Sequence, residues 1–183
     1  MTNYPTVCIE SLTEQTRRLV KNHFSLCIPL AFELEGLGDL KYVITNEIAF
    51  KQRLMDESLD SNASTNFLIA KIQNEVVGAI SIGPCGKEIM ECTHQEWATL
   101  KEVGSLYVHP QFQNQGIGSL LIHAAVKKLD EQGIDEFCLD SGYQHAQTKW
   151  RRKFGEPTMI VKDYWGNGLD HMLWRIQVKD FLK

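Results

Sequence analysis

Leu12, Thr16, Leu19, Val20, His23, Phe24 and Cys27 return every three or four residues, the period of a helix with one buried face. Ser11 and Glu14 ahead of them form an S-x-x-E start signal, in which each side chain satisfies an end amide. Pro29 predicts the stop. Leu40, Val43, Ile44, Ile48, Leu54 and Met55 predict a second amphipathic helix, and Phe32–Asp39 between the two reads as an acidic loop with two glycines. Thr6–Glu10 is a short β-rich stretch. Asp56–Asn66 is polar and reads as a loop. Phe67–Ile72 and Glu75–Ile82 predict two strands joined by a tight turn near Gln73-Asn74. Pro84–Ala98 holds no clear period. Leu100–Val108 predicts a strand, Ile117–Glu131 a largely buried helix whose Ser119, His123 and Lys127 form a polar stripe, and Asp135–Asp140 another strand. Gln144–Phe154 predicts a helix closed by Gly155 and Pro157. Thr158–Val161 and His171–Val178 predict two final strands joined through Trp165–Gly168. The predicted order is β-α-α-β-β-β-α-β-α-β-β. It implies an α/β (α+β) domain around one central sheet. No repeat, low-complexity run or linker divides the chain, so residues 1–183 read as a single domain.

Composition narrows the class. The 183 residues can enclose a real core, and 43% hydrophobic with 23% charged residues is ordinary for a globular protein. A formal net charge of -4 argues against a nucleic-acid partner, which calls for a basic face. The five cysteines, Cys8, Cys27, Cys85, Cys92 and Cys138, are odd in number and contain no CxxC, so neither a disulfide framework nor a metal site is expected. The first residues lack the basic start and apolar run of a signal peptide, and no apolar stretch approaches the roughly 20 residues of a membrane span. A soluble cytoplasmic protein with no membrane partner is the expectation.

The chemistry concentrates in Leu106-Tyr-Val-His-Pro-Gln-Phe-Gln-Asn-Gln-Gly-Ile-Gly118. A predicted strand ends at Pro110, a loop carries Gly116 and Gly118, and an apolar helix begins at once. That order places unpaired amides at a helix N-terminus with the helix dipole behind them, which suits a phosphate. Glycine lets a ligand approach the main chain, and Gln113 can add a side-chain donor. A Walker A loop would need Gly-Lys-Ser/Thr, whereas Ile117 and Gly118 follow Gly116. The dinucleotide fingerprint would need a further glycine. Two glycines alone would suit a plain turn; the strand–loop–helix context favours a site.

Gln113-x-x-Gly116-x-Gly118, preceded by Leu-Tyr-Val-His-Pro, resembles the Gln/Arg-x-x-Gly-x-Gly/Ala signature of the GCN5-related N-acetyltransferase (GNAT) superfamily, and the element order resembles that family's over almost the whole chain. The resemblance implies a mixed, mostly antiparallel twisted sheet flanked by helices. It implies a bulged fourth strand that splays from the fifth, and acetyl-CoA as co-substrate with no metal. Pantetheine would bond the main chain near Leu106, Tyr107 and Val108. The pyrophosphate would lie on Gln113, Asn114, Gln115, Gly116, Ile117, Gly118 and Ser119.

The same resemblance suggests Glu102 as the base that removes a proton from the attacking amine. An ordinary strand glutamate would look the same. The family's usual tyrosine acid, on the helix after the fifth strand, is replaced here by Trp150 or Arg151. Tyr143 and Tyr164 are the substitutes available. Trp150 packs against either the CoA arm or the core. Arg151, Arg152 and Lys153 either screen phosphates or form a solvated helix end. The family's acceptor site implicates Glu33, Glu35, Asp39 and Trp165, with Tyr164, Asp170 and His171 nearby in sequence. Acid and aromatic groups together suit a cationic amine. Asp170-His171 makes a weak acid–base pair, because adjacent strand residues face opposite ways. The expected activity is acetylation of a primary amine, of a small molecule, by direct attack on the thioester. The alternatives are a protein or peptide N-acetyltransferase and a non-catalytic acyl-CoA-binding module. Monomer and homodimer both remain open.

Overall fold

Phe67, Leu68, Ile69 and Ala70 are four consecutive buried residues, so the strand they form is covered on both faces. A computed structural model of the chain describes residues 6–182; residues 1–5, on which the expectation of no signal peptide rests, lie outside the described residues. The buried run belongs to β2 (Asn66–Ile72), which pairs antiparallel with β1 (Val7–Ser11) and with β3 (Glu75–Pro84). With β4 (Lys101–Val108), β5 (Glu136–Ser141), β6 (Met159–Val161) and β7 (His171–Gln177), these make a seven-stranded mixed sheet in the order β1-β2-β3-β4-β5-β7-β6. β4 and β5 run parallel, with a ladder at Lys101↔Phe137 and Glu102↔Cys138. β7 is antiparallel to both β5 and β6. Helices α1 (Arg17–Leu34), α2 (Lys41–Glu57), α3 (Lys87–Cys92), α4 (Ile117–Glu131), α5 (Gln144–Phe154) and α6 (Val178–Phe181) flank it.

Two compact units share the chain. The first takes residues up to Ile82 together with Ser105–Ala125, and the second takes Gly83–Gly104 with residues from Val126 on. β3, β4 and α4 run through both. In the first unit, α1 buries Val20, His23, Phe24, Cys27, Ile28 and Phe32 on one face. Phe24 meets Phe67 and Tyr107 edge-on, with ring centroids 6.0 and 5.9 Å away. Asp56 of α2 fastens α1, accepting from Arg17 Nε at 2.7 Å and Lys21 Nζ at 2.6 Å. The start of α4 lies close on β3: a Cβ at Gly78 would come within 2.8 Å of Leu121 Cδ1. In the second unit, Ile89, Trp97, Cys138 and Leu173 form a buried cluster. Beside it, Phe154 joins Phe137 and Phe181 in an aromatic stack, at 6.2 and 5.5 Å.

Several expectations need correction. α1 starts at Arg17, and Ser11 closes β1 instead of capping a helix; Thr16 lies at the helix start and accepts from the Thr13 amide at 3.1 Å. Pro29 lies inside α1, where burial of Ile28 and Phe32 on either side outweighs the roughly 3 kcal/mol cost of an interior proline. The supposed loop 32–39 is therefore helical as far as Leu34. The aperiodic stretch 84–98 contains α3, too short to show a period, and the chain ends in α6 rather than in a longer β7.

Candidate active site

β4 departs from regular strand geometry near its middle. Ser105 sits at φ 51 in mid-strand, a left-handed conformation that bends a strand as a bulge does. Beyond it, Leu106, Tyr107 and Val108 are half-buried. The Tyr107 carbonyl is met by His23 Nε2 of α1 at 3.0 Å, and its hydroxyl donates to Glu47 of α2 at 3.3 Å. His23 is only 4% exposed. Burial holds its pKa below the usual histidine value, against the opposing pull of the Tyr107 carbonyl.

After β4 the chain makes a single 3-10 turn, Pro110–Phe112, in which His109 Nδ1 accepts from the Gln111 amide at 3.3 Å. Gln113 is extended, Asn114 is left-handed at φ 60, and Gly116 is left-handed at φ 84. Ile117 then opens α4. The Gln113 side chain donates to the Val108 carbonyl at 3.1 Å, and Gln115 donates to Gln111 O at 2.9 Å. Gln113 thus ties the loop back to the strand it leaves. Helical geometry leaves the amides of the first turn without intrahelical acceptors.

The two motif glycines have different reasons to be glycine. Gly116 is required by its backbone, since its φ is one that side chains rarely adopt, and a Cβ there would meet nothing within 4 Å. Gly118 has an ordinary φ. A Cβ there would rest 3.7 Å from Val108 Cγ2 and 3.9 Å from Leu106 Cδ2, which is normal contact. Neither strain nor crowding demands glycine at 118.

The rest of the acidic acceptor set in the first unit is at the end of α1 and just beyond. Glu33 and Asp39 are exposed and Glu35 is half-buried. The second unit holds the remaining candidates. Glu102 is half-buried on β4, and its Oε2 accepts from the Gly86 amide at 2.6 Å. Tyr143 precedes α5 and its amide donates to Ser141 Oγ at 3.0 Å. The Tyr164 hydroxyl donates to Glu91 Oε2 at 2.8 Å; loss of water and the facing carboxylate push its pKa well above the usual phenol value. Trp150 leans on Phe154, ring centroids 5.9 Å apart. Arg151 pairs with Glu156.

His171 pairs with Asp140 and not with Asp170. Its Nε2 lies 2.9 Å from Asp140 Oδ2, and its Nδ1 accepts from Trp165 Nε1 at 3.0 Å. An indole N–H can only donate, so the ring hydrogen of His171 sits on Nε2, facing Asp140. The Tyr164 ring lies 5.1 Å from that of His171 and 4.8 Å from that of Trp165. Asp170 instead accepts from Lys162 at 2.6 Å and from the Asp163 amide at 3.1 Å. Gln147 closes the arrangement, donating to Ser141 O and Asp170 O, both at 2.9 Å. Tyr164 and Trp165 are thus brought together with His171, which the sequence had set beside Asp170, and with Asp140 and Glu91, partners that the sequence did not single out. A separate groove of about 320 Å³ runs between α5 and the start of β7, lined by Gln144, Thr148, Arg151, Asp170 and Met172. Among the described residues, no group of three or more His, Cys, Asp or Glu is placed to hold a metal ion, and no helix is long and apolar enough to cross a membrane.

The acetyltransferase (GNAT) family matches residues 39–155, more than half of the chain. No curated protein sequence matches it significantly. Many solved structures share the fold. The PaiA N-acetyltransferase from Thermoplasma acidophilum, in complex with coenzyme A, superposes with a TM-score of 0.68 at 18% identity, covering 94% of this chain and 99% of its own. The ribosomal-protein-S18-alanine N-acetyltransferase from Escherichia coli gives 0.64 at 12% identity over 94% of each chain. An aminoglycoside 6'-acetyltransferase type Ii gives 0.64 at 18% identity, over 93% of this chain and 97% of the other.

Proposed function

Because the chain belongs to the GNAT family of acetyltransferases, and is by that membership an acyltransferase, we propose that it moves acetyl from acetyl-CoA to the primary amine of a small molecule, as one domain. The observation that carries the cofactor assignment is the turn through left-handed Asn114 and Gly116 that leads straight from β4 into the N-terminus of the 15-residue helix α4. The residues fit the cofactor. The N-terminus of α4, which opens at Ile117 directly after Gly116, suits a pyrophosphate over Gln113–Ser119. Leu106, Tyr107 and Val108 offer main-chain groups to a pantetheine arm, and the His23 contact to Tyr107 O holds that strand in place. Bound there, acetyl-CoA supplies an activated acyl group on a thiol that leaves readily.

The protein's part is to deliver a neutral amine. Glu102 takes the amine proton, and the Gly86 amide keeps its carboxylate oriented. Tyr164, its hydroxyl given to Glu91 and its pKa raised, is a poor proton donor to a thiolate, which leaves Tyr143 as the acid. Each unit by itself carries the acidic character a cationic amine favours: Glu33, Glu35 and Asp39 in the first, and Glu91 and Asp140 with the Trp165 ring in the second. The same fold acts on a ribosomal protein in one relative and on an aminoglycoside in another, so the acceptor is decided by experiment. Thermal unfolding with and without acetyl-CoA, followed by thiol release across a panel of small amines, tests the proposal: ligand that binds the native state raises its apparent stability. No shift at saturating acetyl-CoA overturns it. A shift with release only when peptides are the acceptor overturns the small-molecule assignment.

A further inference from the structure

Five cysteines are present and two of them touch. Cys85 Sγ, in the segment after β3, lies 3.2 Å from Cys138 Sγ in the middle of β5. Cys138 is fully buried and Cys85 half-buried. Three main-chain carbonyls surround the pair: Trp97 O at 3.3 Å and Leu100 O at 3.7 Å from Cys85, and Lys101 O at 3.6 Å from Cys138. The sulfurs are separated in sequence by 53 residues, so the fold alone has brought them together. No step of acetyl transfer uses either thiol.

We propose that Cys85 and Cys138 form a dithiol that a small disulfide oxidises to an intramolecular disulfide. A sulfur–sulfur bond is about 2.05 Å long, so closure needs roughly 1 Å of approach. The Cys85 thiolate attacks the small disulfide, RSSR, forming a mixed disulfide and releasing RS⁻. The Cys138 sulfur then attacks Cys85 Sγ, and its proton leaves with the second RSH. The two protein thiols are oxidised and the small disulfide is reduced to two thiols. Cys85 is the attacking group on two grounds: it is the more accessible, and the hydrogen bond from Cys138 draws its pKa below the ordinary thiol value. Cys138, bonded to Cys85 and buried, is shifted the other way and acts second.

The pair lies beside the residue given the base role. Gly86, next after Cys85, donates to Glu102, and Glu102 is the register partner of Cys138. Drawing Cys85 towards β5 displaces the Gly86 amide from the Glu102 carboxylate. This consequence for turnover rests on the assignment of Glu102 above; formation of the bond does not.

The test uses full-length Cys8→Ser protein, to remove an exposed thiol, treated with oxidised glutathione. Peptide mapping is expected to find a Cys85–Cys138 link with a mass loss of about 2 Da, reversed by dithiothreitol and absent in Cys85→Ser. A persistent glutathione adduct on Cys85 with Cys138 free would overturn the proposal. So would two unreacted thiols in folded protein that react once it is unfolded. Thiol release from acetyl-CoA with an accepted amine is expected to fall about 10-fold or more on oxidation and recover on reduction, as geometry within about 1 Å matters to catalysis. The Cys85→Ser protein keeps its turnover under both conditions. A link that forms with turnover unchanged overturns the effect on Glu102, and a link in a protein that acetylates no amine at all instead counts against the proposed function.

Discussion

The loop Gln113–Ser119 takes its shape from main-chain conformation, whereas the head of β7 is organised by side chains contributed by separate elements. The loop sets its amides by local means: a left-handed Gly116, a left-handed Asn114 and a helix that starts immediately after. The second arrangement links Asp140 on β5, His171 on β7 and Trp165 in the connection before it, with Gln147 of α5 spanning both strand ends. A backbone site tolerates changes in most of its side chains and is sensitive where its conformation needs glycine, here at Gly116. A side-chain chain is sensitive at every member, because each hydrogen bond fixes the next group's orientation.

The largest expected effect is Gly116→Glu, which places a carboxylate where a pyrophosphate belongs. Its side chain would enter open space and its left-handed backbone would cost about 1–2 kcal/mol, so the domain stays folded at reduced stability while calorimetry shows affinity for acetyl-CoA weakened by about 100-fold or more. Undiminished affinity in a folded variant would break the assignment of the loop. Glu102→Gln comes next, with kcat expected to fall about 100-fold and most steeply near neutral pH; an unchanged pH–rate profile would remove Glu102 as the base. His171→Ala leaves Asp140 and the Trp165 indole without their shared partner. A loss of about 1–3 kcal/mol in denaturant unfolding, with a change in tryptophan fluorescence, is expected.

Two smaller effects sharpen the contrast. His23 has a folded pKa below its unfolded value, near 6.5, because burial disfavours the charged ring. The unfolded chain therefore binds the extra proton more readily. The contribution of neutral His23 is fully present above about pH 6.5 and is lost as pH falls from there towards the folded pKa. Stability measured between pH 7.5 and 5.5 should decline on acidification, and less so in His23→Gln; equal slopes would sink this account. Gly118→Ala should raise stability by about 0.5–1 kcal/mol, since its Cβ finds ordinary contacts in a helix. Acetyl-CoA binding should survive, because the family signature accepts alanine there. A strong loss of binding would mean that the ligand lies closer to residue 118 than an alanine methyl allows.

The elements that packed long periodic faces were legible in the sequence. Ile117–Glu131 has the bounds its apolar spacing predicts, and Gln144–Phe154 ends where Gly155 and Pro157 place the stop. Pro29 misled because a local stop signal was outweighed by burial of Ile28 and Phe32, and α3 was missed because six residues are too few to establish a period. In the site, Gly116 and Gly118 could be picked out because the meaning of a glycine in a strand–loop–helix turn is local. Nothing near Asp140 or His171 in sequence announces the other, since they are neighbours only through the β5–β7 register.

The sequence by itself determined the seven strands and the longer helices in their order and, through the Gln113–Gly118 motif, the family; the short α3 and α6 escaped it. Those features depend on periodicity and backbone conformation over a dozen residues or fewer. Only the tertiary structure decided that Tyr164 gives its hydroxyl to Glu91, that Glu102 is held by Gly86, that His171 joins Asp140 to Trp165, and that Cys85 meets Cys138. Each of these pairs is made by strand register or loop placement. Hydrogen bonds and sulfur contacts act over about 3 Å, a distance that separation along the chain does not encode.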